Sequence, residues 1–486
     1  MLATRGDAAA PDGTARLVAP DALLYAHLST SDSRTQDARL LALAGRFSAV
    51  RTRVPALAMA LTPAAGGLDF ARDVRPWLGD EVAVALLDGG TAGPEPLLLA
   101  AVGDRSAAER TLARLGARPA GRHAGTPLLS LPPRATAAFT GDHVVIGPAA
   151  AVSGAIDRDA DDSGAPSLAD GRVFRRAAEG RAGAASLDLF ATAAGLRRLL
   201  DGQPGAAGTA GRLLLSPRLE GVSAQVSAEE QGLRTTAHVL RVAGGPRAAG
   251  FAPTLAGRVP RDAAGFLAVP GLDALAAVAG RAGGASVLAG LENALPSAAG
   301  VELADLIAPL DGEAALTVTA GEAAPVFTLA ARTRDQASTR ESLARLQGPV
   351  SAWLGGGPFA QSEVRGTDAF TLSVTPELEP SYAVSKDTAV ASTAASGLEQ
   401  LGPARSPMTD ASVLKDLMPE QGAKVEALGF LDPRQLLASG ERTGLKALSS
   451  PAARDALGRI RAAGAVVKED ADEPTDTTAE LFLEIP

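Results

Sequence analysis

The apolar positions of this chain change period along its length, and each change marks an expected element. Ala22 to Ser29 alternates loosely and reads as a strand. From Ser33 to Val50 the period lengthens. Leu40, Leu41, Leu43 and Phe47 fall on one helical face behind polar serines and aspartates. The stretch FARDVRPWLGDEVAVALLD, Phe70 to Asp88, then predicts a helix over Phe70 to Leu78, with Asp69 placed to N-cap it and Gly79 suited to the left-handed stop. Strands follow at Glu81 to Leu87 and Pro96 to Val102, and a helix capped by Asp104 or Ser106 runs to Leu115. Thr126 to Leu131, Ala135 to Thr140 and His143 to Ile146 read as short strands, the last two joined by a Gly141-Asp142 turn. Pro148 opens a helix as a first-turn proline. Helices at Val173 to Ala178 and Ala193 to Leu200 flank a strand at Ala185 to Phe190. Two last strands, Val222 to Ser227 and Leu233 to Leu240, enclose the polar turn AEEQG.

Strands joined by short turns favour antiparallel pairing, and strand runs broken irregularly by helices favour α+β over a doubly wound sheet. The pattern then recurs. VPRDAAGFLAVP (Val259 to Pro270) echoes APDALLYAHLS (Ala19 to Ser29), and VELADLIAPLDGEAALTV (Val301 to Val318) echoes FARDVRPWLGDEVAVALL. PVFTLAARTRDQASTRESLARL echoes PLLLAAVGDRSAAERTLARL, RGTDAFTLSV echoes AGTPLLSL, PMTDASVLKDL echoes SLADGRVFRRA, and DTTAELFLEI echoes GLRTTAHVL. The spacing that relates Glu81 to Glu313 relates Leu115 to Leu346 within one residue. It steps once, before Gly125 with Gly366 and Asp170 with Asp410, across the glycine-rich insertion GPVSAWLGGGPFA. The expected organisation is therefore two tandem, duplicated α+β modules with mainly antiparallel sheets and packed helices: a disordered lead-in over 1–17, a first module over 18–245, a Gly/Pro/Ala-rich linker over 246–258 and a second module over 259–486.

Composition narrows the chemistry. With 46% hydrophobic and 21% charged residues, the chain has ample material for cores, yet Phe, Trp and Tyr make up only 3%, which leaves aromatic cages and base-stacking platforms poorly supplied. The net charge is -9 and the five lysines all lie in the second half, so no basic patch for nucleic acid is expected. The absence of cysteine excludes disulfides, thiolate metal sites and cysteine nucleophiles. The stretch MLATRGDAAAPDGTARL contains no apolar run of signal-peptide or membrane-spanning length.

The pieces APDALLYAHLST, DFARDVRPWLGDEVAVALL, RSAAERTLARLGARP and SLADGRVFRRA resemble a bacterial family known as domain of unknown function 3352, from about Ala19 onward. The resemblance implies an N-terminal membrane anchor with the repeated region outside the cytoplasm. The expectation is then either an anchor upstream of Met1 or a soluble member. The family supplies no activity and no functional residues.

Candidate chemistry is sparse. Asp80 and Glu81 are adjacent carboxylates, but neighbours in a strand point to opposite faces, and only Glu81 is kept in register, as Glu313. Asp157, Asp159 and Asp161 have the spacing of a calcium loop, but Asp162 and Leu168 stand where that loop needs Gly and Glu. Ser412 and Lys415 form an S-x-x-K pattern without its S-D-N and K-T-G partners. His27, His123, His143 and His238 are widely spread, all in the first half, and read as satisfied or surface histidines. Gly-rich AGRAGGASVLAG (Ala279 to Gly290) lacks a preceding strand and a P-loop lysine, and the acidic KEDADEPTD (Lys468 to Asp476) reads as a charged hairpin turn. No catalytic, cofactor-binding or metal-ligating residue is assigned, and no cofactor is expected.

What repeats is apolar pattern and turn chemistry. The expectation is an uncharacterised, non-enzymatic protein associated with the cell envelope, holding an apolar ligand or a protein partner; the partners it would suit are a lipid or an envelope protein, and not nucleic acid. The alternatives are a hydrolase or metal-dependent enzyme whose site converges only in three dimensions, and a soluble self-associating scaffold.

Overall fold

A computed structural model describes residues 12–29, 70–160, 164–179, 187–200, 218–242, 250–279, 308–321, 324–375, 377–415, 417–418, 423–443, 454, 457–469 and 476–485. The expected helix over Ser33 to Val50, the stretch Gly280 to Gly290, and Asp161 lie outside them. The chain divides into two compact units, Met1–Gln203 with Leu215–Gly244, and Pro204–Leu214 with Gly245–Pro486.

The first unit contains strands β1 (Leu24–Ser29), β2 (Leu78–Asp88), β3 (Pro94–Val102), β4 (Arg118–His123), β5 (Thr126–Leu131), β6 (Ala135–Thr140), β7 (His143–Gly147), β8 (Leu187–Thr192), β9 (Leu219–Glu229) and β10 (Gly232–Arg241). All pair antiparallel in the order β10-β9-β8-β1-β2-β3-β7-β6-β5-β4. Helices α1 (Arg105–Arg114), α2 (Ala149–Asp159), α3 (Arg172–Glu179) and α4 (Ala193–Leu200) cover it. Alternate strand residues face two cores, as the period of two requires. Tyr25, Ala83, Leu97, Leu99, Ala138 and Val145 join Val152 and Ile156 of α2 on one face. Trp77, Ala100, Ala137, Phe139, Val144 and Ile146 join Ala108 and Leu112 of α1 on the other.

The second unit contains β11 (Gly265–Val269), β12 (Ala314–Thr319), β13 (Val326–Arg332), β14 (Ala360–Val364), β15 (Thr367–Thr371), β16 (Ser381–Val384), β17 (Thr388–Ser392), β18 (Ala427–Leu431), β19 (Ala462–Glu469) and β20 (Thr477–Glu484). These too pair antiparallel, in the order β20-β19-β18-β11-β12-β13-β17-β16-β15-β14. The helices here are α5 (Leu272–Ala279), α6 (Gln336–Leu354), α7 (Ser412–Lys415) and α8 (Pro433–Thr443). Their core is aliphatic, around Leu255, Phe266, Leu398, Met408, Leu414 and Leu428. Mixed helices and predominantly antiparallel sheet match the expected α+β class. Among the described residues no helix is long and apolar enough to cross a membrane.

Several expectations change. The lead-in is folded from Asp12: Thr14–Arg16 form a 3-10 turn whose Thr14 and Ala15 are buried. The seam is not a linker beyond Gly250, because Phe251 pairs with Val425 and a second 3-10 turn, Leu255–Arg258, buries Leu255. The helix expected over Phe70 to Leu78 is a single π-type turn, Phe70–Val74. Its end is fixed by the Asp73 carbonyl, which accepts from Trp77 Nε1 and Thr111 Oγ1, and by the Asp73 carboxylate, which takes Arg114 at 2.7 Å. Gly79 is no helix stop but lies inside β2, where a Cβ would come within 2.9 Å of Ala101. Asp104 does cap α1, accepting from the Ala107 amide. The strand β4 has no counterpart among the strands expected from sequence; all its residues but His123 are exposed, and it carries no apolar alternation.

Candidate functional site

The two 3-10 turns need their leading backbone amides satisfied, since these have no partner within the turn. In both units a glutamate meets them, Glu81 from within β2 and Glu313 from the residue just before β12. Glu81 Oε2 accepts from the Gly13 and Thr14 amides at 3.1 and 3.4 Å. Glu313, 4% exposed, accepts from the Thr254 amide and hydroxyl and from the Leu255 amide at 2.6 to 3.0 Å. Glu81 and Glu313 are thus the residues that dock each unit's 3-10 turn onto its sheet.

In the second unit the Thr254 hydroxyl that donates to Glu313 also meets Arg332, which pairs with Asp387; among the described residues, histidines gather on the glutamate in the first unit. His27 stands on β1, where Ala83 and Asp188 are its register partners, and Ser29 pairs with Glu81 itself. His27 Nε2 lies 3.1 Å from Glu81 Oε2 and 4.0 Å from Asp12 Oδ1. His143, at the start of β7, reaches the other Glu81 oxygen at 3.0 Å. Asp12 accepts from the Ala15 amide and from the Tyr25 hydroxyl, which also meets Thr14 Oγ1 at 2.7 Å. Asp188 Oδ2 stands 3.8 Å from His27 Nδ1 and is held by Gln225 through its other oxygen. One ligand atom each from Asp12, His27 and Glu81 lie within 4.8 Å of one another, close enough to share a cation.

The electrostatics follow from this packing. Burial pulls His27 down, but Asp188 and Glu81 beside its two nitrogens, with the Asp12 charge, outweigh burial and raise it to about 9. Burial works to raise Glu81, and the two histidines override it and hold the carboxyl at about 2. Burial and the neighbouring Asp12 push the Tyr25 phenol well above its ordinary value, so it stays a neutral donor.

The sequence candidates separate accordingly. Asp80 is exposed, whereas Glu81 is partly buried. Asp157 and Asp159 belong to the last turn of α2 and take separate partners, His123 at 2.7 Å and Thr140 Oγ1 at 2.6 Å, so they do not form a loop around one ion. Ser412 donates to Glu484 at 3.0 Å, while Lys415 is exposed. His238 lies in β10, apart from the cluster. Sequence reading missed that His27 and His143 converge on Glu81. A strand order that places β1, β2, β3 and β7 side by side was the missing information. In the second unit the positions paired alike are Ala268, opposite Ala315, and Thr388, opposite Arg332.

A different feature marks the second unit. A recess of about 270 Å³ between α6 and the β15–β16 pair is floored by Ala344, Phe370, Tyr382 and Val384 and rimmed by Arg340, Glu341 and Asp368. Phe370 stacks on Tyr382, and Phe359 meets the same ring edge-on.

Solved structures similar to the chain include crystal forms of TP0453. Form I is 11% identical with a TM-score of 0.29, covering 49% of this chain and 82% of that one. Form III is 12% identical with a TM-score of 0.28, covering 48% and 81%. No curated protein matches. The family described as "Protein of unknown function (DUF3352)" matches residues 2–351, across the whole first unit and into α6 of the second, and the chain belongs to that family.

Proposed function

We propose that this protein is a non-enzymatic, envelope-associated binding protein made of two copies of one α+β module, with an apolar ligand or the apolar side chain of a protein partner as its cargo. The observation that carries the duplication is the common order of ten strands in both units, with a glutamate docking the first turn of each. Convergence on one connectivity of this length without common descent is hard to reconcile with the many orders ten strands can take. The non-enzymatic reading is supported by what the copies share, which is packing and capping rather than reactive side chains. The ligand reading rests on the aromatic-floored recess under α6. Its volume suits a short stretch of acyl chain or one large side chain rather than a whole cofactor.

Native mass spectrometry of the detergent-free full chain tests the ligand. A co-purifying lipid that is lost in Ala344→Trp, which fills the recess, supports the reading. Absence of any adduct, together with no binding of a fluorescent fatty acid, sinks the ligand half and leaves a protein partner. Envelope placement is tested separately by fractionation of the native cell. Recovery only in the cytosol overturns it.

A further inference from the structure

The first unit holds a cluster that its counterpart lacks and that docking a turn does not require. Glu313 secures its turn with backbone amides and a threonine hydroxyl, without a histidine. Around Glu81, by contrast, Asp12 and His27 place an oxygen and a nitrogen beside the same carboxylate oxygen. We propose that Asp12, His27 and Glu81 form a binding site for one divalent transition cation of the zinc class, with His143 as a positioning residue.

Three arguments support it. The first is donor chemistry. One imidazole and two carboxylates are the mixed nitrogen and oxygen set that zinc accepts, with bonds of roughly 2.0–2.2 Å. The three donor atoms lie within 4.8 Å of one another, with His27 Nε2 at 3.1 and 4.0 Å from its two partners, and the longer separations must shorten by roughly an ångström to reach the spacing that bonds of this length give a tetrahedral ion. The second is orientation. A metal-bound histidine ordinarily presents its other ring nitrogen to a carboxylate. His27 is 3% exposed, its Nδ1 makes no hydrogen bond of ordinary length, and that nitrogen faces Asp188, which Gln225 holds in place. The third is support for the carboxylates. Glu81 is held by two backbone amides and by His143 on its far oxygen, and Asp12 by the Ala15 amide and Tyr25. These outer contacts fix the rotamers that a metal needs before it arrives. Bound there, the cation would clamp residues 12–16 onto β1 and β2, strengthening the docking that Glu81 provides alone.

The test uses the purified full chain, stripped with a chelator and titrated with zinc chloride, with elemental analysis after gel filtration. The expected result is one zinc per chain, lost in His27→Gln and in Asp12→Asn, unchanged in Glu313→Gln and in His123→Ala. His143→Gln is expected to weaken binding by roughly 10- to 100-fold, the usual effect of removing an outer-shell partner. Cobalt provides a readout that a merely structural role would not move: its visible absorption should appear in the wild-type chain, shift in His143→Gln and vanish in His27→Gln. Circular dichroism of each variant shows whether it has folded. No retained zinc in the wild-type chain overturns the proposal. So does zinc retained equally by folded His27→Gln, or zinc lost only in His123→Ala.

Discussion

A carboxylate that receives two or three donors from a turn is costly to replace even by its closest isostere, because an amide turns one acceptor into a donor facing other donors. Glu313→Gln should therefore destabilise the second unit by about 1–3 kcal/mol, seen as a midpoint lowered by several degrees in a thermal melt. In the first unit the same position is tied to titration. His27 is raised from 6.5 to about 9, so its protonated ring stabilises the fold fully below pH 6.5, and that contribution is lost as pH rises through 9. Glu81 is lowered from 4.5 to about 2, so its contribution is present above pH 4.5 and lost as pH falls toward 2. The two shifts are largely one interaction viewed from its two ends. The charged and titratable groups facing His27 are Asp12, Glu81, Asp188 and the neutral Tyr25. In chelator-containing buffer, the melting point of the first unit should hold between pH 5 and 6.5 and fall toward pH 9. His27→Gln should remove that alkaline fall, and a profile unchanged by the substitution would contradict the assignment. Glu81 was legible as a recurring residue because Glu313 stands in register with it. Its histidines were not, since nothing in their sequence spacing says that β1 and β7 approach one carboxylate.

At the scale of elements, two glycines separate close approach from mere flexibility. A Cβ on Gly195, in the first turn of α4, would stand 2.1 Å from the Leu23 carbonyl and 2.6 Å from its Cα, both backbone atoms that cannot swing away. Gly195→Ala should push α4 off the chain entering β1 and cost about 1–3 kcal/mol, the usual range for overpacking. Gly257, in the 3-10 turn of the second unit, meets nothing within 4 Å. Gly257→Ala should leave the midpoint unchanged or slightly raised, since it reduces the freedom of the unfolded chain. Equal losses in the two variants, measured by urea unfolding, would contradict this distinction. The sequence offered no means of telling these glycines apart. It did mark β9, through Val222 to Ser227, and the residues of that strand alternate in burial. It failed at β4, exposed along most of its length, and at Phe70–Val74, where the tie from Asp73 to Arg114 and Thr111 ends a helix that local propensity would have extended.

For the whole molecule, the two units provide their own reporters, because the chain has only two tryptophans and one falls in each. Trp77 is 8% exposed, packed with Leu112 and Ile146, its ring nitrogen bonded to the Asp73 carbonyl. Trp353 is 61% exposed at the end of α6. An indole already in water changes its emission little on unfolding, whereas a buried one shifts toward the red, so tryptophan fluorescence should follow the first unit while circular dichroism follows both. Each unit has its own buried core, which allows each to unfold as its own cooperative block. Glu81→Gln should then lower the fluorescence midpoint, and Glu313→Gln should lower part of the dichroism signal while the fluorescence midpoint stays in place. Trp353→Phe should leave the fluorescence transition intact, and Trp77→Phe should remove most of it. If Glu313→Gln moved the fluorescence transition as far as Glu81→Gln does, the units would unfold as one. The chain would then be a single cooperative protein rather than two blocks that unfold independently.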